Sequence, residues 1–306
     1  MRAVLLAAGL GTRLRPLTDT IPKCLVPIKG KPLLDIWCET LLAAGVEKVL
    51  VNTHYKHQVV EEHLARVSYR DQVETVFEPE LLGTAGTLIA NKDFFNHQDG
   101  MLIHADNYCE ANIANLIHAH KNRPSGCAMT MLAFRTSTPE TCGILETDAH
   151  NILQNMYEKS EENHGNLANG AFYILTQELI ASLSTEQDFS NEVIPKYFGK
   201  VLVVETNETY LDIGSPESYA LAQTISKHHK RVTLVENTPT EILEATQERL
   251  SRIAVTWTVT AENEARRIGF WSFYCRLSPP AIRSYIKGQE PIIRSAFLQK
   301  NPHWTI

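Results

Sequence analysis

Residues 2–35 read RAVLLAAGLGTRLRPLTDTIPKCLVPIKGKPLLD, and the class of fold follows from how this stretch opens. An apolar run over residues 3–8 breaks into a loop holding Gly9, Gly11, Thr12 and Arg13, with Arg15 and Lys23 adding positive charge beyond it. A buried strand feeding a flexible cationic loop suits a phosphate: glycines let backbone N–H groups close round an anion, while Arg and Lys supply charge and donors. Two common phosphate loops do not fit. A dinucleotide fingerprint needs a third glycine three residues after Gly11, where Leu14 stands; a P-loop needs Gly-Lys-Ser/Thr, and Gly30-Lys31 is followed by Pro32.

Outward from that loop, Pro32 is placed for the first turn of a helix carrying Leu33, Leu34, Trp37, Leu41 and Leu42 at helical spacing. Strands are expected at 48–52 (KVLVN), 73–77 and 101–105, alternating with helical patterns at 57–66 and 84–90. Such alternation predicts an α/β fold with a doubly wound, mostly parallel, Rossmann-like sheet whose ligands lie beyond the carboxyl ends of its strands. From about residue 126 the texture changes. Segments 127–134, 143–147, 152–158 and 168–175 read as strands with few helices between them, followed by a helix near 190–198 and a strand at 200–204. This reads as a mixed-sheet extension that could lie over the nucleotide half. Ser215-Pro216 then offers a capping serine with proline at the first helical position. The expected division is a first domain over 1–228, with its nucleotide half at about 1–125 and its extension at about 126–210, and a small α-rich C-terminal appendage over 229–306. In that tail Thr238-Pro239-Thr240-Glu241 fits a capping box opening the helix ILEATQERL.

The whole chain sets bounds on partners. At 306 residues it can hold an ample core. Its formal charge of −6 gives no basic excess with which to displace counterions from a nucleic acid, so no nucleic-acid partner is expected. No apolar run approaches the roughly 20 residues of a membrane span, and residues 3–10 lack the architecture of a signal peptide. Six cysteines form no C-x-x-C pair and no dense framework, which fits reduced thiols and a cytoplasmic location.

Several positions could carry chemistry. Asp106, in LIHADNYC, and Asp212, in TYLDIGSPESY, each follow a strand and precede a turn; both are hard oxygen ligands of the kind Mg²⁺ accepts alongside waters and phosphates. Asp106 could equally form an Asx turn with Asn107, and Asp212 could be a polar turn residue. In EPELLGTAGTL, Gly83 and Gly86 allow close backbone approach, and Thr84 could cap a helix whose N-terminus faces a ligand. Gly143, Glu158-Lys159 and Asn169-Gly170 lie at strand ends or turns, where carboxylate and amide suit sugar hydroxyls and lysine suits a sugar phosphate. Each of these also fits a solvated surface position. His118 and His120 do not share a helix face. No Cys/His set has zinc-finger spacing, and no G-x-S-x-G elbow is present.

Together these motifs closely resemble the sugar-1-phosphate nucleotidyltransferases, of the mannose-1-phosphate guanylyltransferase type. The resemblance covers residues 1–224 and rests on LAAGLGTRLRPLT, PKCLVPI, LGTAGTL, HADNY, GILE, Glu158-Lys159, ANGAFYI and LDIGSPESY, in family order. It implies that Leu6, Ala7, Ala8, Gly9, Gly11, Thr12, Arg13 and Lys23 hold the triphosphate, Arg13 and Lys23 being catalytic, and that Asp106 and Asp212 hold Mg²⁺. Glu78, Gly83, Thr84 and Ala85 would lie by base and ribose; Gly143, Glu158 and Asn169 by the sugar; Lys159 on its phosphate. The chain departs from the family at Ala105, Ser160 and Cys142, where a glycine, a proline and an aromatic are usual. These changes spare the metal and phosphate groups but loosen the reading of the sugar. The tail shares a faint similarity, in VENTPTEILEA and AFLQKNPHW, with the C-terminal end of some bacterial surface-saccharide glycosyltransferases. Its aromatic and basic residues also fit a packing surface or a homo-oligomer interface.

The implied reaction joins a nucleoside triphosphate to a sugar 1-phosphate, releasing pyrophosphate. Guanine presents two adjacent N–H donors that a carboxylate such as Glu78 can accept as a pair, so GTP is favoured, with a mannose- or heptose-type partner by resemblance. Uridylyl transfer to another sugar, a non-catalytic nucleotide-sugar-binding subunit, and a glycosyltransferase are the alternatives. The last class characteristically shows D-x-D, and Asp106-Asn107-Tyr108 lacks the second Asp.

Overall fold

The computed structural model describes residues 1–224, apart from positions 16 and 161. The described residues divide into two compact units, one made of Met1–Leu10 with Leu33–Tyr210, the other of Gly11–Pro32 with residues 211–224. The expected boundary near residue 229 and the tail's capping box lie outside the described residues.

The first unit is built on a nine-stranded sheet. Its strands are β1 (Arg2–Leu6), β2 (Val49–Thr53), β3 (Val73–Phe77), β4 (Gly100–His104), β5 (Met129–Arg135), β6 (Gly143–Thr147), β7 (Leu153–Glu158), β8 (Leu167–Leu175) and β9 (Val201–Thr206). The order β3-β2-β1-β4 is parallel throughout. The three inner strands β2, β1 and β4 are buried almost end to end, as expected where helices cover both faces, whereas β3 at the edge is mostly exposed. Because β1 lies between β2 and β4, the chain reverses its winding there, and the crevice for a ligand opens at the carboxyl ends of β1 and β4. The long strand β8 then turns the sheet mixed. It runs antiparallel to β4, β5 and β6, β7 adds to β6, and β9 pairs in parallel with β5.

Helices α1 (Leu33–Ala43), α2 (His57–Leu64), α3 (Thr84–Ala90), α4 (Ile113–Lys121) and α5 (Gln177–Ser182) accompany this sheet. In α1, Leu33, Leu34, Trp37, Cys38 and Leu41 are buried, the face its spacing predicted; Trp37 Nε1 donates to the Asn107 carbonyl at 2.7 Å. Capping side chains start α4 and α5: Asn112 accepts from Asn115 N and Thr176 from Leu179 N. The expected helix at 190–198 is instead a π turn, Phe189–Val193, followed by a 3₁₀ turn, Ile194–Tyr197. Pro195 supplies no N–H, and that breaks the ladder of a regular α-helix. Phe189, Val193 and Ile194 still reach the core, packing with Tyr173, Phe95, Met129 and Met131.

The second unit has little regular structure among its described residues. Three 3₁₀ turns, Thr12–Leu14, Leu17–Asp19 and Lys23–Leu25, lead to a small hairpin, Pro27–Ile28 against Lys31–Pro32. Helix α6 (Pro216–Thr224) holds it. Ser215 and Ser218 cap that helix reciprocally, each side chain accepting from the other's backbone N–H at 3.1–3.2 Å. Tyr219 Oη and Gln223 Nε2 both donate to the Pro27 carbonyl, and Lys29 N donates to Gln223 Oε1.

Candidate active site

The second unit gathers the cations of the opening loop around one carboxylate. Lys23 Nζ lies 3.5 Å from Asp212 Oδ1, and Arg13 reaches Asp212 Oδ2 at 3.8 Å. The two cations differ in setting. The Lys23 side chain is only 8% exposed, so its ammonium requires an anion, while Arg13 is 72% exposed and its long contact adds little to stability. Arg13 therefore turns most of its guanidinium to solvent. Two glycines make the cluster possible. A Cβ on Gly214 would come within 2.6 Å of Asp212 Oδ2 and 2.9 Å of the Arg13 guanidinium. Gly11 has φ +65°, and a Cβ there would press on Thr18 and on the Lys23 side chain at 2.9 and 3.2 Å. Thr18 Oγ1 also donates to the Gly11 carbonyl, fixing the turn that carries Thr12 and Arg13.

In the first unit the loop after β1 lies at the winding reversal. Leu6 is in register with Asn52 of β2 and His104 of β4, and the Leu6 carbonyl accepts from Ala105 N at 3.1 Å. Asp106, half-buried, follows at the end of β4. The Ala7 N–H is not left for a phosphate, because it donates to Asn52 Oδ1 at 2.6 Å. Beyond Ala7 the loop continues through Ala8, Gly9 and Leu10. Gly9 opens on free space.

Glu78 is 3% exposed and engaged by the protein: Thr87 Oγ1 donates to its Oε1 at 2.6 Å and Asn52 Nδ2 at 3.1 Å, while Leu82 N approaches Oε2 at 3.4 Å. A carboxylate so occupied does not present two vacant oxygens to a base, which weakens the expected paired readout by this residue. The helix at Thr84 also differs from expectation. Gly83, at φ +80°, is the N-cap, and Thr84 does not cap; its Oγ1 accepts from Phe189 N at 2.7 Å. The N–H groups of Ala85 and Gly86 donate to the Gln187 carbonyl, so the start of α3 is closed by this chain and not open to an anion. A Cβ on Gly83 would run into that same carbonyl oxygen. Gln187 and Asn52 were not picked out as site residues in the sequence, because their roles come from contacts across the fold.

The extension brings its expected residues onto neighbouring strands. Gly143 on β6 is in register with Glu158 on β7, and a Cβ at Gly143 would lie 2.6 Å from Glu158 Oε2. Asn169 follows Ala168, which faces Ile144 of β6. Its Nδ2 donates to Tyr173 Oη at 2.8 Å, across a bulge that puts Ala171 at φ +46°. Burial pushes the Tyr173 hydroxyl up to about 12, so it stays protonated. Lys159 follows β7 with φ +48° and an exposed side chain, and its N–H donates to the Cys142 carbonyl, next to Gly143, at 3.1 Å.

Residues 2–229 match the Nucleotidyl transferase family. The chain belongs to that family. A Sulfolobus acidocaldarius protein, provisionally named mannose-1-phosphate guanyltransferase, is 32% identical over 224 residues, 71% of this chain and 60% of its own. Mannose-1-phosphate guanyltransferase of Saccharomyces cerevisiae is 30% identical over 234 residues, 72% of this chain and 63% of its own. The chain thus spans about three fifths of the length of these curated relatives. The crystal structure of HddC from Yersinia pseudotuberculosis, complexed with GMP-PN, superposes with a TM-score of 0.62 at 26% identity, covering 72% of this chain and 97% of that one. Among the described residues no three His, Cys, Asp or Glu side chains cluster as a metal cage, and no helix is long and apolar enough to cross a membrane. Asp106 and Asp212 are hard oxygen donors of the kind a divalent metal accepts alongside waters and phosphates.

Proposed function

We propose that this protein joins a nucleoside triphosphate, GTP favoured, to a sugar 1-phosphate of the mannose or heptose type, giving a nucleotide-sugar and pyrophosphate. The observation that carries the reading is the Asp212 carboxylate flanked by Lys23 and Arg13, a cationic cluster on a glycine-shaped turn, within a Nucleotidyl transferase family chain. The relatives named mannose-1-phosphate guanyltransferase support the base and the sugar. The chemistry needs little acid–base help. A phosphate monoester has its second pKa near 6 and is mostly ionised at neutral pH, so its oxygen attacks without a general base. The obstacle is repulsion between two anions as charge builds on the α-phosphoryl group and the departing pyrophosphate. Arg13 and Lys23 offset it and hold the phosphates in line. Asp106 and Asp212 are the residues that would hold Mg²⁺, which when bound lends further positive charge to the phosphate oxygens. Gly143, Glu158 and Asn169 would receive the sugar, and Lys159 its phosphate. Five free thiols among the described residues suit the reducing cytoplasm, where nucleotide-sugars for surface polysaccharide would be made.

The test is pyrophosphate release from GTP, UTP, CTP and dTTP, each with a panel of sugar 1-phosphates. GTP with mannose or heptose 1-phosphate should turn over fastest. UTP far ahead of GTP would overturn the base assignment, and no pyrophosphate from any pair would overturn the reaction.

A further inference from the structure

Three polar side chains at the head of the parallel sheet are buried from water. Asn52, the Glu78 carboxylate and Thr87 are 3%, 3% and 1% exposed. They form one chain of hydrogen bonds. Asn52 Oδ1 accepts from Ala7 N at 2.6 Å, and Asn52 Nδ2 donates to Glu78 Oε1 at 3.1 Å and to Thr87 Oγ1 at 3.2 Å. The Thr87 hydroxyl has a single proton, which its shortest contact places on Glu78 Oε1. The orientation of the Asn52 amide follows from its partners: a backbone N–H needs the oxygen, a carboxylate needs the NH₂.

We propose that Asn52 is a positioning residue for the triphosphate loop, locked by Glu78 and Thr87. The argument runs through Ala7. It is the first residue after β1, where the chain stops pairing with its neighbours and turns into Ala8, Gly9 and Leu10. Glycine gives this loop freedom, and an anion site needs it held. Asn52 stands beside Leu6 in register and reaches one residue beyond the ladder, extending the sheet's hold on the loop by one hydrogen bond. Glu78 directly follows the next strand and Thr87 lies on α3, so the amide is itself gripped from two other segments. Glu78 also approaches Leu82 N, so the same network reaches the segment before Gly83. A buried network satisfied at each member fixes one geometry; removing one member leaves the others buried and unpaired.

The inference rests on the proposed reaction only for its kinetic consequence. Two variants of the full chain test it, Asn52→Leu, which keeps the size and loses all three partners, and Thr87→Val, with Thr87→Ser as the conservative rescue. In ligand-free protein, hydrogen–deuterium exchange of the peptide spanning residues 3–10 should quicken in Asn52→Leu and in Thr87→Val and stay as in wild type in Thr87→Ser. In steady state, KM for the nucleoside triphosphate should rise by about tenfold in Asn52→Leu while KM for the sugar 1-phosphate stays within about twofold. Unchanged exchange at residues 3–10 in both variants overturns the positioning role whatever the enzyme's activity. Equal rises in both KM values would also overturn it, as the mark of general loosening. If wild type releases no pyrophosphate, the reaction reading fails, and exchange alone decides the role of Asn52. Should Asn52→Leu not fold, Thr87→Val against Thr87→Ser carries the same two readouts.

Discussion

At the scale of single residues, the Lys23–Asp212–Arg13 cluster makes the sharpest demands. Lys23 is a nearly buried cation whose described ion-pair partner is also a proposed metal ligand, so its removal should weaken both charge balance and phosphate alignment. Lys23→Ala or Asp106→Asn is expected to lower turnover by a hundredfold or more, on the order of 3 kcal/mol, in a protein that still melts cooperatively. Near-normal turnover in either folded variant would remove these residues from the chemistry. Gly214→Ala tests the geometry more finely. The added methyl would sit 2.6 Å from Asp212 Oδ2, so the carboxylate must swing away from its cations. Turnover should fall by about tenfold, because misplacement of a charged group by a fraction of an ångström weakens transition-state contacts. The expected change in melting temperature is small, since the displaced side chains are largely exposed. An active Gly214→Ala enzyme would mean that Asp212 does its work from another position.

At the scale of elements, α4 is pinned to the sheet by a buried histidine that the chemistry does not use. His120, 1% exposed, meets Thr130 Oγ1 on β5 through Nδ1 at 2.9 Å and Asp99 Oδ2 through Nε2 at 3.2 Å, with Arg123 nearby. Burial, and then the Arg123 charge, lower its pKa below the usual histidine value despite Asp99. The unfolded chain therefore takes up the proton at a higher pH than the folded one. Stability from this group is complete above about pH 6.5 and is lost as pH falls toward the depressed folded value. The urea midpoint should drop between pH 7 and pH 5, and the drop should be shallower in His120→Gln, which can still donate and accept. An identical pH dependence in the two proteins would show that His120 does not titrate differently on folding. The second element of note is α3, whose start is closed by the Gln187 carbonyl and by Phe189 N on Thr84, more than a hundred residues along the chain. No local pattern announces such a contact, and the capping signal at Thr84 pointed to a ligand instead.

At the scale of the molecule, what could be read in advance divides by range. The inner parallel strands were legible because their burial on both faces writes continuous apolar runs, and the α1 face because its spacing is helical. Lys23 and Asp212 could be named singly, but their approach to 3.5 Å spans most of the chain and required the fold. The bonds of Asn52 to Ala7 and of Asn169 to Tyr173 were hidden for another reason: each asparagine lies at or near a strand's end, where its contact depends on register and on a bulge. The same logic bears on where activity resides. The family match ends at residue 229, and 72% of this chain accounts for 97% of the HddC chain, so a compact relative consists almost wholly of the shared part. All residues given a role in the proposed transfer precede that limit. A chain cut after residue 229 is therefore expected to keep kcat and both KM values within about threefold, a difference of less than 1 kcal/mol in transition-state binding. Gel filtration of the two proteins would then assign any change in assembly to residues 230–306. A cut chain that stays folded by circular dichroism yet loses turnover by a hundredfold would place part of the active machinery in those residues, and the transfer would have to be sought in the whole chain.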